Sequence, residues 1–221
     1  MFAAQTPSPA SSVRCRPEET IADVRRGSTD RLGRLLESYR NYLHLLAKTQ
    51  IDEKLQARIS PSDLVQETML GACRDFAQFH GEDERQLLAW LRQILINRLH
   101  VFVQQHVRAR KRDVRREISI EQIGGALARS TMSLKAGTFL ADLAPSPSGL
   151  AMQRESAVVL ADHLADMSAE HREVIELRNL QGLPFDEVAR RMDRTMGATR
   201  MLWMRAIRRL RKAIAEKEGE E

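Results

Sequence analysis

The chain has 221 residues, 43% of them apolar, with 35 Lys and Arg set against 30 Asp and Glu for a net charge of +5. This length and composition suit one large or two small globular domains and exclude a low-complexity chain. No apolar run approaches the roughly 20 residues needed to span a bilayer, and Cys15 and Cys73 are too few for a disulfide framework. The opening MFAAQTPSPASS lacks the basic start and apolar core of a secretory leader, so a cytoplasmic protein without membrane insertion is expected.

Residues 1–17 are rich in Ala, Ser and Pro and read as a disordered tail. From Glu18 the pattern turns helical. Leu32, Leu35, Leu36, Tyr39, Leu43 and Leu46 recur at three- and four-residue spacing, which predicts one amphipathic helix. The polar stretch from Ile51 to Arg58 reads as a connector or a short helix. Ser60-Pro61-Ser62-Asp63 is a helix-start signal. In the helix that follows, Val65, Met69, Ala72, Phe76 and Phe79 form the apolar stripe, with Asp63, Gln66, Glu67 and Arg74 off it. His80-Gly81-Glu82-Asp83 breaks the pattern, and a long helix is expected from Glu84 to Arg112. Its seam is Leu88, Leu91, Leu95, Leu99 and Phe102, and it ends in Arg-Ala-Arg-Lys-Arg. That ending has two readings: cations are favourable at any helix C-terminus, and a basic run also suits a polyanion.

Gly124-Gly125, Gly137 and the Ala144–Gly149 stretch interrupt all periodicity, so residues 113–149 read as a linker. Met152, Val159, Leu160 and Leu164 mark the next helix. Ser168 is placed to cap AEHREVIELRNL, in which Val174, Leu177 and Leu180 share a face and which Gly182 stops. Pro184 opens a short helix with Val188, Ala189 and Met192 on one side, Asp193-Arg194 turn the chain, and Thr195 caps a second helix. That second helix carries Arg200, Arg205, Arg208, Arg209, Arg211 and Lys212 with no acidic residue before Glu216. A short helix, a tight turn and a longer basic helix make a helix-turn-helix, which can enter a DNA major groove. A solvated or partner-binding basic helix is the alternative.

No strand-like alternation occurs, so the fold class is all-α. A helical bundle over 18–112 is followed by the linker, a helix-turn-helix domain over 150–215 and an acidic tail over 216–221. Positive charge concentrates in Arg108–Arg116 and Arg200–Lys212, and two separated basic segments suggest two contacts with one nucleic acid.

The residues also resemble a family. SPSDLVQETMLGACRDFAQF followed by LLAWLRQILINRLHVFVQQHVRARKR is similar to region two of bacterial RNA polymerase sigma factors of the extracytoplasmic-function type. LADMSAEHREVIELRNLQGLPFDEVARRM with GATRMLWMRAIRRLRK is similar to region four. The resemblance implies core RNA polymerase and promoter DNA as partners, with an anti-sigma factor as a further one, and no cofactor. It implies that Asp63, Gln66 and Glu67 dock on polymerase. It assigns Asn97, Arg98, Gln105, Arg108, Arg110, Lys111 and Arg112 to the −10 element, with residues 79–85 as a loop around a captured base. It assigns Thr195, Gly197, Ala198, Thr199, Arg200, Met201 and Arg205 to the −35 element. Arginine suits guanine or phosphate equally. Arg200 and Arg205 lie about 140° apart around a helix, so one can reach a base while the other holds phosphate. Trp90 matches a Trp-Leu pair and reads as core, and Trp203 as core or a subunit contact. Met201 stands where the family commonly has a small polar residue, and His100-Val101 replaces a usual Asp.

The competing function is a one-component transcriptional regulator, with the N-terminal bundle used for sensing or dimerisation. An enzyme is disfavoured. The six histidines lack a metal-hydrolase pairing, and there is no CxxC, glycine-rich phosphate loop or serine nucleophile elbow. No catalytic, metal-ligating or cofactor-binding residues are therefore expected.

Overall fold

The computed structural model describes residues 17–26, 29–51, 59–110 and 152–218, and every described element is helical. In chain order these are α1 (Pro17–Arg25), α2 (Thr29–Glu37), α3 (Arg40–Gln50), α4 (Pro61–Asp75) with a 3₁₀ turn at Phe76–Gln78, and α5 (Glu84–Arg110). After them come α6 (Met152–Ala165), α7 (Ala169–Ile175) running into a π-helical turn at Glu176–Leu180, α8 (Phe185–Arg191) and α9 (Met196–Glu218). The tail before residue 17 and the linker over 113–149 lie outside the described residues.

All six apolar positions of the first predicted helix are buried. They nevertheless belong to two helices, because the chain breaks at Ser38-Tyr39. Tyr39 leaves helical geometry at φ −103° and ψ 2°, and the Ser38 hydroxyl donates to the Leu35 carbonyl at 2.7 Å. The break makes two helices of a stretch whose periodicity runs through. Helix α4 starts as its sequence signal predicts: Ser60 accepts a hydrogen bond from the Asp63 amide and Pro61 opens the helix, its missing N–H harmless there. Its buried face is wider than the predicted stripe. Leu64, Thr68 and Gly71 join Val65 and Ala72, and Thr68 is accommodated because its hydroxyl bonds the Leu64 carbonyl at 2.7 Å.

The loop into α5 is closed by reciprocal caps. Asp83 accepts from the Gln86 amide at 2.6 Å, and the Gln86 side chain accepts from the Glu82 amide at 2.7 Å. Arg25 of α1 reaches the same loop and donates to the Gly81 carbonyl at 2.7 Å. Leu87, Leu88, Leu91, Leu95, Leu99 and Val103 form the buried seam of α5, with Phe102 only partly covered. Trp90 packs against Phe79 and Phe76, ring centroids 5.0 and 6.1 Å away, on the core side of the helix.

Much of helix α3 is covered: Tyr42, Leu43, Leu45, Leu46 and Ala47 are buried, while Arg40 and Asn41 are exposed and His44 and Lys48 half-buried. So wide an apolar face must be covered from more than one direction. One side meets α4 and α5, and the other meets α6. There Asn41 donates to Asp162 at 3.1 Å and Lys48 pairs with Glu176 at 2.6 Å. Within the C-terminal half, α9 packs against α7, α8 and α6. Ser168 occupies the N-cap position of α7 with no side-chain cap bond, which departs from the predicted cap. Gly182 ends the π turn at φ 76°, the left-handed geometry expected of a helix stop.

Candidate nucleic-acid interface

The helix-turn-helix consists of α8, a turn at Asp193-Arg194, and α9. Asp193 takes φ 50°, a left-handed conformation that a short acidic side chain tolerates better than most. Thr195 caps α9, its hydroxyl accepting from the Ala198 amide at 3.2 Å. Arg194 pairs with Glu170, which ties the turn to α7. On α8, Glu187 binds Arg190 at 2.7 Å and Arg191 at 2.8 Å. Those two guanidinium groups hold the Glu187 carboxyl down at about 2, so much of their charge is matched within the protein.

Helix α9 is sharply two-sided. Leu202, Ala206, Leu210 and Ile214 are buried, whereas Arg200, Met201, Met204, Arg205, Arg208, Arg209, Arg211 and Lys212 are exposed. Thr199 is fully buried and donates to the Thr195 carbonyl at 3.0 Å, which removes it from the groove-facing set. Gly197 is exposed, with open space where a Cβ would stand. Trp203 is half-buried in the domain: its indole N–H donates to Asn179 at 2.9 Å and its ring meets Phe185 edge-on at 5.6 Å. Phe185 in turn carries two guanidinium groups, Arg178 at 4.8 Å and Arg200 at 5.6 Å from the ring centroid. Arg178 and Phe185 escaped sequence reasoning, because nothing in their spacing places them beside Arg200.

Only part of the second basic helix is described. Asn97 is exposed and accepts from Gln93 at 3.0 Å. Arg98 is half-buried across the contact between α4 and α5, where a Cβ on Gly71 would stand 3.2 Å from its guanidinium nitrogen. It lies close enough to Asp75 to favour that carboxylate, although the dominant influence there is the hydrogen bond from Arg74. Arg98 is thus partly engaged in the bundle. The helical backbone continues through Arg110, but the side chains of Gln105, Arg108 and Arg110, and all of Lys111 and Arg112, lie outside the described residues. The loop over 79–85 holds Gly81 with the Phe79 ring folded against it: a Cβ there would come within 2.5 Å of the ring.

On α4, Asp63 and Gln66 are exposed and Glu67 is half-exposed. Leu70, one turn further along the same face, is 57% exposed. Sequence reasoning missed it, although its spacing of three and four residues from Glu67 and Gln66 is the signal that finds it.

The chain matches the Sigma-70 region 2 family over residues 35–112 and the Sigma-70 region 4 family over residues 163–212, together more than half its length. It belongs to the sigma-70 family. A relative of this sigma factor is the ECF RNA polymerase sigma factor BldN of Streptomyces coelicolor (strain ATCC BAA-471 / A3(2) / M145). The two are 26% identical over 209 residues, covering 94% of this chain and 69% of BldN. A solved structure of an RsbN–BldN complex aligns at 22% identity and a TM-score of 0.29, over 87% of this chain and 98% of that one. The protein is a transcription-initiation sigma factor and not an enzyme. Among the described residues no cluster of His, Cys, Asp or Glu is arranged to hold a metal ion, and no helix is long and apolar enough to cross a membrane.

Proposed function

We propose that this sigma factor binds core RNA polymerase and directs it to promoters carrying separate −10 and −35 elements. The observation that carries the reading is the outer face of α9, where Arg200, Arg205 and Arg208 are exposed opposite a buried seam. Among the described residues no carboxylate pairs with any of the three. An exposed arginine face on the second helix of a helix-turn-helix suits a major groove. Thr195 and Thr199 support that face from within, by cap and by packing. Gly197, Ala198, Met201 and the arginines are left to meet the upstream element. Asn97 and the basic end of α5 take the −10 element, the basic side chains tracking its backbone. The face of Asp63, Gln66, Glu67 and Leu70 on α4 takes polymerase. Family membership adds an anti-sigma factor to the partners, and a cytoplasmic location follows from acting on the chromosome.

The test is reconstitution. Full-length protein added to core polymerase should give specific transcripts from promoters of its own genome. Arg200→Ala and Arg205→Ala should weaken upstream-element binding, by about 1–3 kcal/mol if a base contact is lost, with polymerase binding intact. Tight, dimeric binding to promoter duplex without polymerase would instead identify a one-component regulator. Loss of polymerase binding on substituting Arg200 would mean that α9 has been assigned the wrong partner.

A further inference from the structure

Two large apolar side chains lie in the middle of the basic face of α9. Met201 is 52% exposed and Met204 49% exposed. At about 100° per residue, Gly197, Met201, Met204 and Arg208 fall within roughly 30° of one outward line, opposite Leu202, Ala206 and Leu210. Arg200 and Arg205 stand on the two shoulders, each about 70° from that line. Arg200 leans over Phe185 at 5.6 Å, and Arg205 folds back to the Met201 carbonyl at 3.3 Å. Along Gly197 to Met204 the outward line is therefore apolar with charge on its flanks, and Arg208 follows on the same line one turn further on.

We propose that Met201 and Met204 are specificity-determining residues that contact thymine 5-methyl groups of the upstream element, while Arg200 and Arg205 hold the phosphates on either side. This rests on the reading of α9 as the upstream-element helix. The only apolar group that a base pair shows in the major groove is the thymine methyl. An unbranched, polarisable thioether side chain can follow that methyl without a fixed geometry. Flanking cations make a protein partner with an apolar, uncharged face a poorer fit than a duplex, whose phosphates border both sides of the groove. Gly197 widens the approach at the start of the line, since nothing stands where its Cβ would be.

The test uses the holoenzyme and a duplex selected from a randomised upstream element. The selected element should contain thymines, and replacing them one at a time with deoxyuridine, which lacks only the methyl, should locate the contacts. Each contacted thymine should lose about fourfold in affinity, the effect of burying one methyl-sized group. In Met201→Gln or Met204→Gln the deoxyuridine penalty should vanish at the matching position. Arg200→Ala and Arg205→Ala should keep that penalty and lower the salt slope of binding by about one each. The proposal is overturned if the selected element lacks thymine, if deoxyuridine has no effect on the wild type, or if its effect is the same in the methionine variants. It is also overturned if those variants lose polymerase or protein binding with methyl sensitivity intact. If no upstream sequence is selected and Arg200→Ala changes nothing, the upstream-element reading itself has failed. Unchanged melting of the glutamine variants, expected at exposed positions, separates either failure from misfolding.

Discussion

Replacing Lys48 by Met probes the contact between the two halves of the molecule most directly. Lys48 and Glu176 meet at 2.6 Å across the α3–α7 boundary, and their exposures differ: the Lys48 side chain is 34% exposed and that of Glu176 only 3%. Burial raises the Glu176 carboxyl above its ordinary range, and Lys48, with Arg172 behind it, pulls it partly back. Deleting one member of a fully buried pair costs about 3–5 kcal/mol. Lys48 keeps a third of its surface in water, so about 2 kcal/mol is the appropriate figure here after screening. That energy falls on the docking of α6 and the π-helical turn against α3, because Glu176 regains water if the two halves part. Amide hydrogen exchange should therefore quicken about 30-fold in α3 and α6, which is 2 kcal/mol expressed as a local opening constant, and leave the seam of α5 near Leu91 unchanged. Lys48→Met with Glu176→Leu should restore much of the loss by replacing an ion pair with apolar packing. The pH dependence has a definite sign. An acid whose folded pKa is raised contributes stability below its unfolded value near 4.3 that is lost as pH rises through the folded value. Without Lys48 that loss deepens, so the deficit of Lys48→Met should shrink on acidification. His44 acts in the opposite sense. Burial, then Lys48 and Arg172, lower its pKa, so its contribution is present above about 6.5 and lost as pH falls through the folded value. A His44→Gln background isolates Glu176. If exchange in α3 and α6 is unchanged in Lys48→Met, or rises equally throughout α4 and α5, the pair does not hold the halves together.

Thr195→Ala removes the cap of α9 and should lower stability by about 1 kcal/mol in a urea titration, with the upstream-element footprint fraying from its α9 N-terminal end. Gly81→Ala sets a methyl 2.5 Å from the Phe79 ring and 2.7 Å from the Gln86 Cβ. It should cost about 1–3 kcal/mol, and tryptophan emission should change because Phe79 stacks beside Trp90. Trp203→Phe keeps most of the packing on Phe185 but strands the Asn179 carbonyl. A loss of about 1–2 kcal/mol is expected by thermal melting, and Asn179→Ala in the same background should add little.

The all-α class and the helix-turn-helix were legible because both are local: apolar spacing, Ser60 and Thr195 as caps, Gly182 as a stop. What the sequence did not disclose is non-local. Leu32 to Leu46 keeps helical phase across Ser38-Tyr39, so periodicity alone cannot reveal the break there. Tyr42 and Leu45 lie off the predicted stripe and are buried in a helix that meets α4, α5 and α6, which periodicity along one helix does not show. Of the proposed site, Thr199 falls in the groove-facing set by its place in a motif, whereas its side chain is buried and bonds the Thr195 carbonyl. An apolar residue such as Met204 on a helix reads as core until its exposure is known.

The stacking of Arg178 and Arg200 on the one Phe185 ring has a consequence for how fast and how selectively α9 can be engaged. A free arginine surrenders about 2 kcal/mol of rotamer entropy when it is fixed on a phosphate. Two that already rest on an aromatic plane have given up part of that before any DNA arrives. Their charge is thus preorganised at the mouth of the hairpin by a neutral residue, and on the proposed reading of α9 such a site loses little on closing around the polyanion. Phe185 is in that sense part of the electrostatics of the protein although it carries no charge.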